Sequence, residues 1–543
     1  MGSMLENVVE LVKAAKIAVG PTVEGQMRLL GIDADFEKIT GIEIALAVVF
    51  GLIVIKFMQF LSRPRLLNVP RVEGGWPFLG QVFEMLKGSP WDVMTEWSHK
   101  YGGIYTFHLF GSDAICISDG DLLKEVLHTQ MPTFKKDTAW TYKPFLVLLG
   151  NGLVTADGKD WRRQRVLLSN HLRIEILEEI PQMAFKAVER LSVKLDKHAE
   201  QGTTVEMAEE FRSLTLQVIS EALLSLSPEE SDSTFAQMYL PIVEEGNLRT
   251  WDPTRMYIPG PAMFKFWAAV KRLNDYVSGL IRKRWTLRQQ EAKSGDTGRK
   301  KDVLDKVLGA VKEEEWGEAR ICQIRDEIKT FVLAGHETSA SMLAWTLYEL
   351  HADGSAEPNR MKRRALEESS QVYSGKGYLN KKGHVVAMPP REQLSGPEGL
   401  HYTESCLRES LRKYSVVPTV VRLASTRTTI GEGGKYVIPK GATIMVNMQG
   451  VHHNPANWPD YLDWQPERFY HQDLKPYTFM PFVEGPRNCL GQFLSLLESK
   501  CVISMLLRKY NFVLQNPDNA GEKHPFMVPI IPRNGHHFKV HKL

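Results

Sequence analysis

Residues 482–491 read Phe-Val-Glu-Gly-Pro-Arg-Asn-Cys-Leu-Gly, and the reading of the whole 543-residue chain turns on them. They set Cys489 inside a turn punctuated by Gly485 and Gly491, with Arg487 two positions before the thiol. An apolar helical pattern (Phe493, Leu494, Leu496, Leu497) follows directly. A thiolate ligates a metal when backbone N–H groups point at its sulfur and a helix N-terminus lowers its pKa. Gly485 and Gly491 lack the Cβ that keeps a backbone away from a flat cofactor. Arg487 offers a planar fork of donors to a carboxylate.

The other cysteines narrow the chemistry by elimination. Cys116, Cys322, Cys406 and Cys501 are scattered, with no C-x-x-C pair and no clustered histidines. An odd total of five with irregular spacing is not a disulfide framework and points to a reducing compartment. Zinc sites need ligand pairs at short spacing, which are missing. Iron held by one axial thiolate needs a single cysteine.

The spacing F-x-x-G-x-R-x-C-x-G resembles the haem-binding loop of the cytochrome P-450 family at every specified position, and the resemblance extends over roughly Pro70 to Leu543. Ala334-Gly-His-Glu-Thr-Ser339 lies inside a helical stretch from about Ala319 to Leu350, with Phe331, Ala334 and Thr338 on one face. A mid-helix glycine costs about 1 kcal/mol against alanine, so Gly335 asks for a local reason. The resemblance implies that Gly335 and Ala334 leave room for dioxygen beside the iron. It implies equally that Thr338 offers a hydroxyl there and that Glu337 relays protons from solvent.

Three further clusters fall where that resemblance requires them. Glu409-Ser-Leu-Arg412 puts an acid and a base on one helical face, and the family buries this pair against a later arginine, here matched by Arg468 in Pro466-Glu-Arg-Phe469. Glu404 and Arg408 form a competing pair nearby. We prefer Glu409 and Arg412 because Pro418 and Arg422 then follow at the family's offsets. Trp161 and Arg165 in Trp161-Arg-Arg-Gln-Arg165 share a face, and the resemblance implies that they contact a haem propionate together with Arg422 and Arg487. Two stretches are aromatic and apolar, Thr138–Val147 and Trp251–Val270. The first matches a variable loop that roofs the active site, and Tyr257–Phe264 resembles a loop that touches the membrane.

Composition excludes some other classes. With 43% hydrophobic and 24% charged residues the usage is that of a globular protein. A net charge of +3 leaves no electrostatic footprint for nucleic acid. The N-terminal part reads differently. Residues 1–40 form a lumenal segment with an amphipathic stripe (Val8, Leu11, Val12, Ala15). Residues 41–61 form a transmembrane anchor, residues 62–80 a Pro/Gly hinge, and residues 81–543 the catalytic domain. Acids (Asp33, Asp35, Glu37) precede the span and arginines (Arg63, Arg65, Arg71) follow it, which puts the catalytic body in the cytosol.

The expected fold is therefore mostly α with a small β lobe, the cytochrome P-450 fold preceded by an N-terminal transmembrane helix. The resemblance implies a haem b monooxygenase of lipophilic substrates such as fatty acids, sterols or carotenoids. NADPH-cytochrome P-450 reductase would supply electrons, with cytochrome b5 as an optional second donor, at the endoplasmic reticulum membrane rather than a plastid membrane. Fatty-acid ω-hydroxylases often carry glutamate where this chain has Ala334, so a haem esterified at that position is excluded. Two alternatives stand beside this reading. One is a reductase-independent fatty-acid peroxide isomerase or dehydratase, against which Glu337-Thr338 speaks. The other is a membrane haem sensor or scaffold without catalysis. No function attaches to the polar stretch Gln371–Gly399.

Overall fold

The computed structural model describes Gly51, Met58 and residues 68–543, apart from 110, 140, 173–174, 253, 296–300, 353, 355–358, 376, 380–384 and 471–473. Among the described residues no helix is long and apolar enough to cross a membrane. The expected anchor at 41–61 and the amphipathic segment at 1–40 lie outside the described residues, save for Gly51 and Met58.

Helices supply most of the framework, and beside them the described residues form one five-stranded, one three-stranded and two two-stranded sheets. In chain order the principal elements are α1 (Pro90–Tyr101), β1 (Ile104–Leu109), β2 (Ser112–Ile117), β3 (Phe134–Lys135), α2 (Lys143–Leu149), α3 (Gly158–Leu172), α4 (Glu175–Gln201) and β4 (Thr204–Glu206). There follow α5 (Met207–Leu224), α6 (Ala236–Trp251), α7 (Pro261–Ser294), α8 (Glu318–Leu350), α9 (Arg360–Val372), α10 (His401–Tyr414), β5 (Thr419–Ala424), β6 (Thr443–Asn447), α11 (Gln492–Lys509), β7 (Tyr510–Leu514) and β8 (His537–Lys542).

The ends of these helices follow from local chemistry. Pro261 opens α7, where a missing N–H costs nothing. The Glu206 carboxylate caps α5 by accepting from the Ala208 and Glu209 N–H groups. Apolar side chains of α4, α5, α7, α8, α10 and α11 meet in one large core that includes Leu191, Phe211, Leu273, Leu343, Leu407 and Ile503. Burial on this scale is the main force holding the helices in place.

A second core belongs to the β lobe and includes Ile115, Phe134, Ile438, Ile444 and Val446. Its sheet runs β1-β2-β6-β5-β3. Strand β6 pairs in parallel with β2 and antiparallel with β5, which sets Ile444 opposite Arg422. Strand β3 pairs antiparallel with β5, setting Phe134 opposite Ala424 and Lys135 opposite Leu423. A separate sheet runs β7-β8-β4.

The chain divides into two units by its internal contacts. Of the described residues, the smaller takes in Gly51, Met58, 74–82 and 108–112, and the larger holds the remainder. Within the smaller unit the Gln81 side-chain oxygen accepts the His108 N–H at 2.8 Å. The polar stretch 371–399 contains a two-stranded ladder pairing Tyr378 with Val386. It is anchored by the buried Met388 and Leu394.

Candidate functional site

The cysteine loop is shaped by its own backbone. Cys489 N–H donates to the Phe482 carbonyl at 2.8 Å, and Asn488 N–H to the Gly485 carbonyl at 3.1 Å. Gly485 has φ +84°, and a Cβ there would come within 2.4 Å of the Leu127 carbonyl oxygen. Only glycine meets both demands. The loop delivers Cys489 to the start of α11, where burial pushes its thiol up while the Gly491 and Gln492 N–H groups and the Arg165 charge pull it down. Protein packs densely around the cysteine, yet the residue keeps exposed surface. Phe482 and Leu490, partly buried, pack against the large core.

Helix α3 supplies two of the expected residues, and the structure separates their tasks. Arg165 grips the loop itself, with Nη1 donating to the Asn488 carbonyl at 2.8 Å and Nη2 to Asn488 Oδ1 at 2.5 Å. Trp161 is buried, with the Arg487 guanidinium 4.6 Å from its ring centre. Arg487 Nη2 pairs with Asp157 Oδ1, whereas its buried Nε and Nη1 have no hydrogen-bond partner among the described residues. Arg422 on β5 is 2% exposed, and its charge and that of Arg487 both act on Lys136.

On α8, Ala334 is exposed, Phe331, Leu333, Gly335 and Thr338 are partly exposed, and Val332, His336, Glu337 and Ser339 are buried. Thr338 Oγ1 donates to the Ala334 carbonyl at 2.8 Å. Gly335 lies where α8 packs closely on α5, for a Cβ there would meet Ile219 Cγ1 at 2.8 Å and Cδ1 at 2.9 Å.

Glu337 is 5% exposed and multiply held. Its Oε1 accepts from Arg212 Nη2 at 2.8 Å and lies 3.2 Å from His336 Nε2. Burial opposes its ionisation, but His336 and Arg212 outweigh burial and hold the carboxyl down to about 2.

The Glu409–Arg412 pair is fully buried and bidentate, Nε to Oε2 and Nη2 to Oε1 each at 2.8 Å. Arg412 spends its other hydrogens on the carbonyls of His452, Tyr461 and Asp463. Arg468 Nε stands 3.5 Å from Glu409 Oε1. Burial pushes Glu409 up, and Arg412, the Gln465 N–H and Arg468 pull it back. The competing residues part company, for Glu404 pairs with Lys500 at 3.0 Å and Arg408 lies over Phe469 and Phe479.

Residues 143–147 of the expected roof fall in α2, with Phe145 and Val147 packed against the large core. Between α6 and α7, and at the start of α7, Tyr257, Ile258, Phe264 and Trp267 are each at least half exposed. Sequence reasoning missed Arg212, which lies 125 residues from its partner Glu337, and Asp157, Lys136 and Tyr142. A lone arginine or aspartate that far from its partner leaves no local signal.

The donor set fits haem on two observations. Cys489, an exposed residue, sits at a helix N-terminus with its thiol beside backbone N–H groups, and Arg487 of the same loop has buried nitrogens with no partner among the described residues. Thiolate and carboxylate-seeking cations are what iron protoporphyrin requires of a protein.

A thiolate loop at a helix N-terminus, with a second long helix showing an accessible alanine–threonine face, defines a haem-thiolate enzyme. The model of the cytochrome P450 family matches residues 70–537, and the chain belongs to that family. It is 28% identical over 454 residues to the chloroplastic carotene epsilon-monooxygenase of Arabidopsis thaliana, covering 80% of this chain and 79% of the relative. It is 27% identical over 507 residues to cytochrome P450 4X1 of Homo sapiens, covering 89% and 93%. To cytochrome P450 4A6 of Oryctolagus cuniculus it is 26% identical over 477 residues, covering 86% and 88%. The heme domain of a mutant cytochrome P450DA superposes with a TM-score of 0.72 at 22% identity, covering 88% of this chain and 98% of that one. The protein is a haem monooxygenase, an oxidoreductase.

Proposed function

We propose that the protein hydroxylates a lipid-like substrate, with Cys489 as the residue that would hold the iron of haem b and Thr338 and Glu337 handling protons. Trp161, Arg165, Arg422 and Arg487 serve the carboxylate side of the cofactor, and the Glu409–Arg412–Arg468 network braces the fold without taking part in chemistry. The observation that carries this reading is the accessible Ala334–Thr338 face in the middle of α8, a hydroxyl presented to an interior otherwise lined by apolar side chains.

Bound haem supplies dioxygen activation and oxygen transfer, and the chain's residues supply the rest. The Cys489 sulfur donates electron density, with the Gly491 and Gln492 N–H groups steadying its charge. Thr338 Oγ1 donates a hydrogen bond to the Ala334 carbonyl, and rotation of the hydroxyl redirects it toward the accessible face. Glu337 is ionised at neutral pH, so it accepts and passes protons and does not store them. Phe145, Val147, Phe331 and Leu333 keep the site dry.

The exposed Tyr257, Ile258, Phe264 and Trp267 support uptake of substrate from a bilayer. The apolar run from Ile44 to Leu61 supports an anchor in the endoplasmic reticulum membrane, with a cytosolic flavoprotein reductase as partner. The test is turnover with reductase, NADPH and a panel of fatty acids, sterols and carotenoids. We expect NADPH consumption that depends on one lipid class and yields its hydroxylated product by mass spectrometry. Rearrangement of a fatty-acid hydroperoxide without reductase, and no NADPH-dependent product, would contradict the proposal.

A further inference from the structure

We propose that Lys136 and Tyr142 join Arg422 and Arg487 in a four-donor clamp for the two carboxylates of haem, with Asp157 as the positioning residue that latches it. The inference rests on the haem reading of the Cys489 loop.

The register of the β lobe builds half of the clamp. Lys135 lies opposite Leu423, so the next step along the antiparallel ladder carries Lys136 to Arg422. Lys136 Nζ is 3.5 Å from the Tyr142 hydroxyl and 4.9 Å from the centre of its ring. Asp157 builds the other half. Its Oδ1 pairs with Arg487 Nη2 and its Oδ2 accepts the Lys136 N–H at 3.0 Å. One carboxylate thus ties the exit of β3 to the cysteine loop.

Charge balance then says what the cluster is for. Lys136, Arg422 and Arg487 carry three positive charges, and the acid that acts among them is Asp157, with one negative. Asp137 is adjacent in sequence, but its carboxylate turns to the Thr141 N–H and hydroxyl. Arg165 is held by Asn488, and its charge acts on the Cys489 thiol. An excess of two positive charges in a crowded interior is costly unless opposite charges arrive, and haem brings two carboxylates. The strain is visible in the groups themselves. Burial pushes the Lys136 ammonium down to about 8, with Arg422 and Arg487 adding to the effect and Tyr142 opposing it. Arg487 Nε and Nη1 lie buried with no partner among the described residues.

The clamp also reaches the substrate side. Tyr142 is the residue from which α2 starts, its carbonyl accepting the Phe145 and Leu146 N–H groups. Seating the cofactor's carboxylates therefore fixes the start of the helix that roofs the site.

The test is haem transfer from the holoenzyme to excess apomyoglobin, with the midpoint reduction potential measured on the same samples. Lys136→Met should speed haem loss by about tenfold or more, as expected for removing a charge-assisted contact. It should also lower the midpoint potential, because a positive charge near the iron is gone. Lys136→Arg should restore both. Tyr142→Phe should speed haem loss without moving the potential as far. Asp157→Asn should speed haem loss yet move the potential upward, opposite to Lys136→Met, a sign that general loosening does not produce. All four should keep the carbon monoxide spectrum of a thiolate ligand, which separates failure of the clamp from failure of the Cys489 assignment. Wild-type transfer rates for Lys136→Met and Tyr142→Phe would overturn the clamp. So would equal losses for Lys136→Met and Lys136→Arg.

Discussion

Arg212 Nη2 lies 2.8 Å from Glu337 Oε1, so a side chain of α5 sets the charge state of the residue next to Thr338. The carboxylate is 93% buried, and removing its arginine leaves a charge in the interior with His336 as its remaining neighbour. Arg212→Ala should cost about 3–5 kcal/mol, the usual consequence of breaking a buried pair from one side. The double variant Arg212→Ala with Glu337→Gln should recover most of it. The sign with pH follows from the depressed carboxyl. Its folded value of about 2 lies below the ordinary glutamate value, so the pair's stabilisation is present above pH ~4.5 and lost as pH falls toward 2. Urea unfolding of the four-member mutant cycle at pH 7 and pH 3 measures both effects, and additive single variants would contradict the coupling.

Thr338 stands on the accessible face of α8 with its hydroxyl turned to the Ala334 carbonyl. Thr338→Ala should fold, bind haem and bind substrate, while a larger share of the NADPH consumed ends as hydrogen peroxide. Thr338→Ser should restore most of the coupling. The ratio of product to NADPH is the measurement, and an unchanged ratio in the alanine variant would remove Thr338 from proton handling.

The Glu409–Arg412 pair differs from its neighbours in burial and in the number of bonds it makes. Both side chains are fully buried, and Arg412 also holds three backbone carbonyls. Arg412→Lys keeps the charge and loses the fork, so it should fail to rescue, costing several kcal/mol and most of the haem-containing yield. Glu404→Ala should cost less, because Glu404 is itself partly exposed and makes one bond, to the buried Lys500, which keeps the Ser395 hydroxyl as a partner. Comparable losses for the two variants would show that burial does not set the energy here.

Glu327 of α8 accepts the Leu153 N–H through Oε2 at 3.0 Å, while its buried Oε1 has no partner among the described residues. Burial pushes this carboxyl up to about 8, so the folded protein keeps it protonated at neutral pH. A raised folded value favours the fold at low pH and gives that advantage up as pH rises from ~4.5 through 8. Glu327→Gln should therefore gain stability relative to wild type steadily between pH 5 and 8. Parallel melting-temperature curves for the two proteins across that range would contradict a protonated Glu327.

What was legible in the sequence was what neighbours in the chain could express. The cysteine loop declared itself because Gly485, Arg487, Cys489 and Gly491 act on one another within a single turn, and the helix from Glu318 to Leu350 because its apolar run is long. Glu409 and Arg412 could be preferred over Glu404 and Arg408 from the residues that follow, and the structure gives the two pairs separate partners. The packing of Gly335 left no local sign. The side chain that fills its missing Cβ is Ile219, on another helix, and no local pattern announces it. Arg212 and Lys136 escaped for the same reason, since their meaning comes from α5 against α8 and from β3 against β5. Arg165 was assigned by its face and not by its partner, and the partner proves to be Asn488 of the cysteine loop.

The central claim is that Cys489 ligates haem iron, and the carbon monoxide spectrum of the reduced holoenzyme tests it most directly. The wild type should show the red-shifted Soret band of thiolate-bound haem. Cys489→Ala should abolish that band, whereas Cys406→Ala should leave it in place, because Cys406 is buried on α10 with its thiol pushed well up by burial. Retention of the thiolate band by Cys489→Ala would contradict the account.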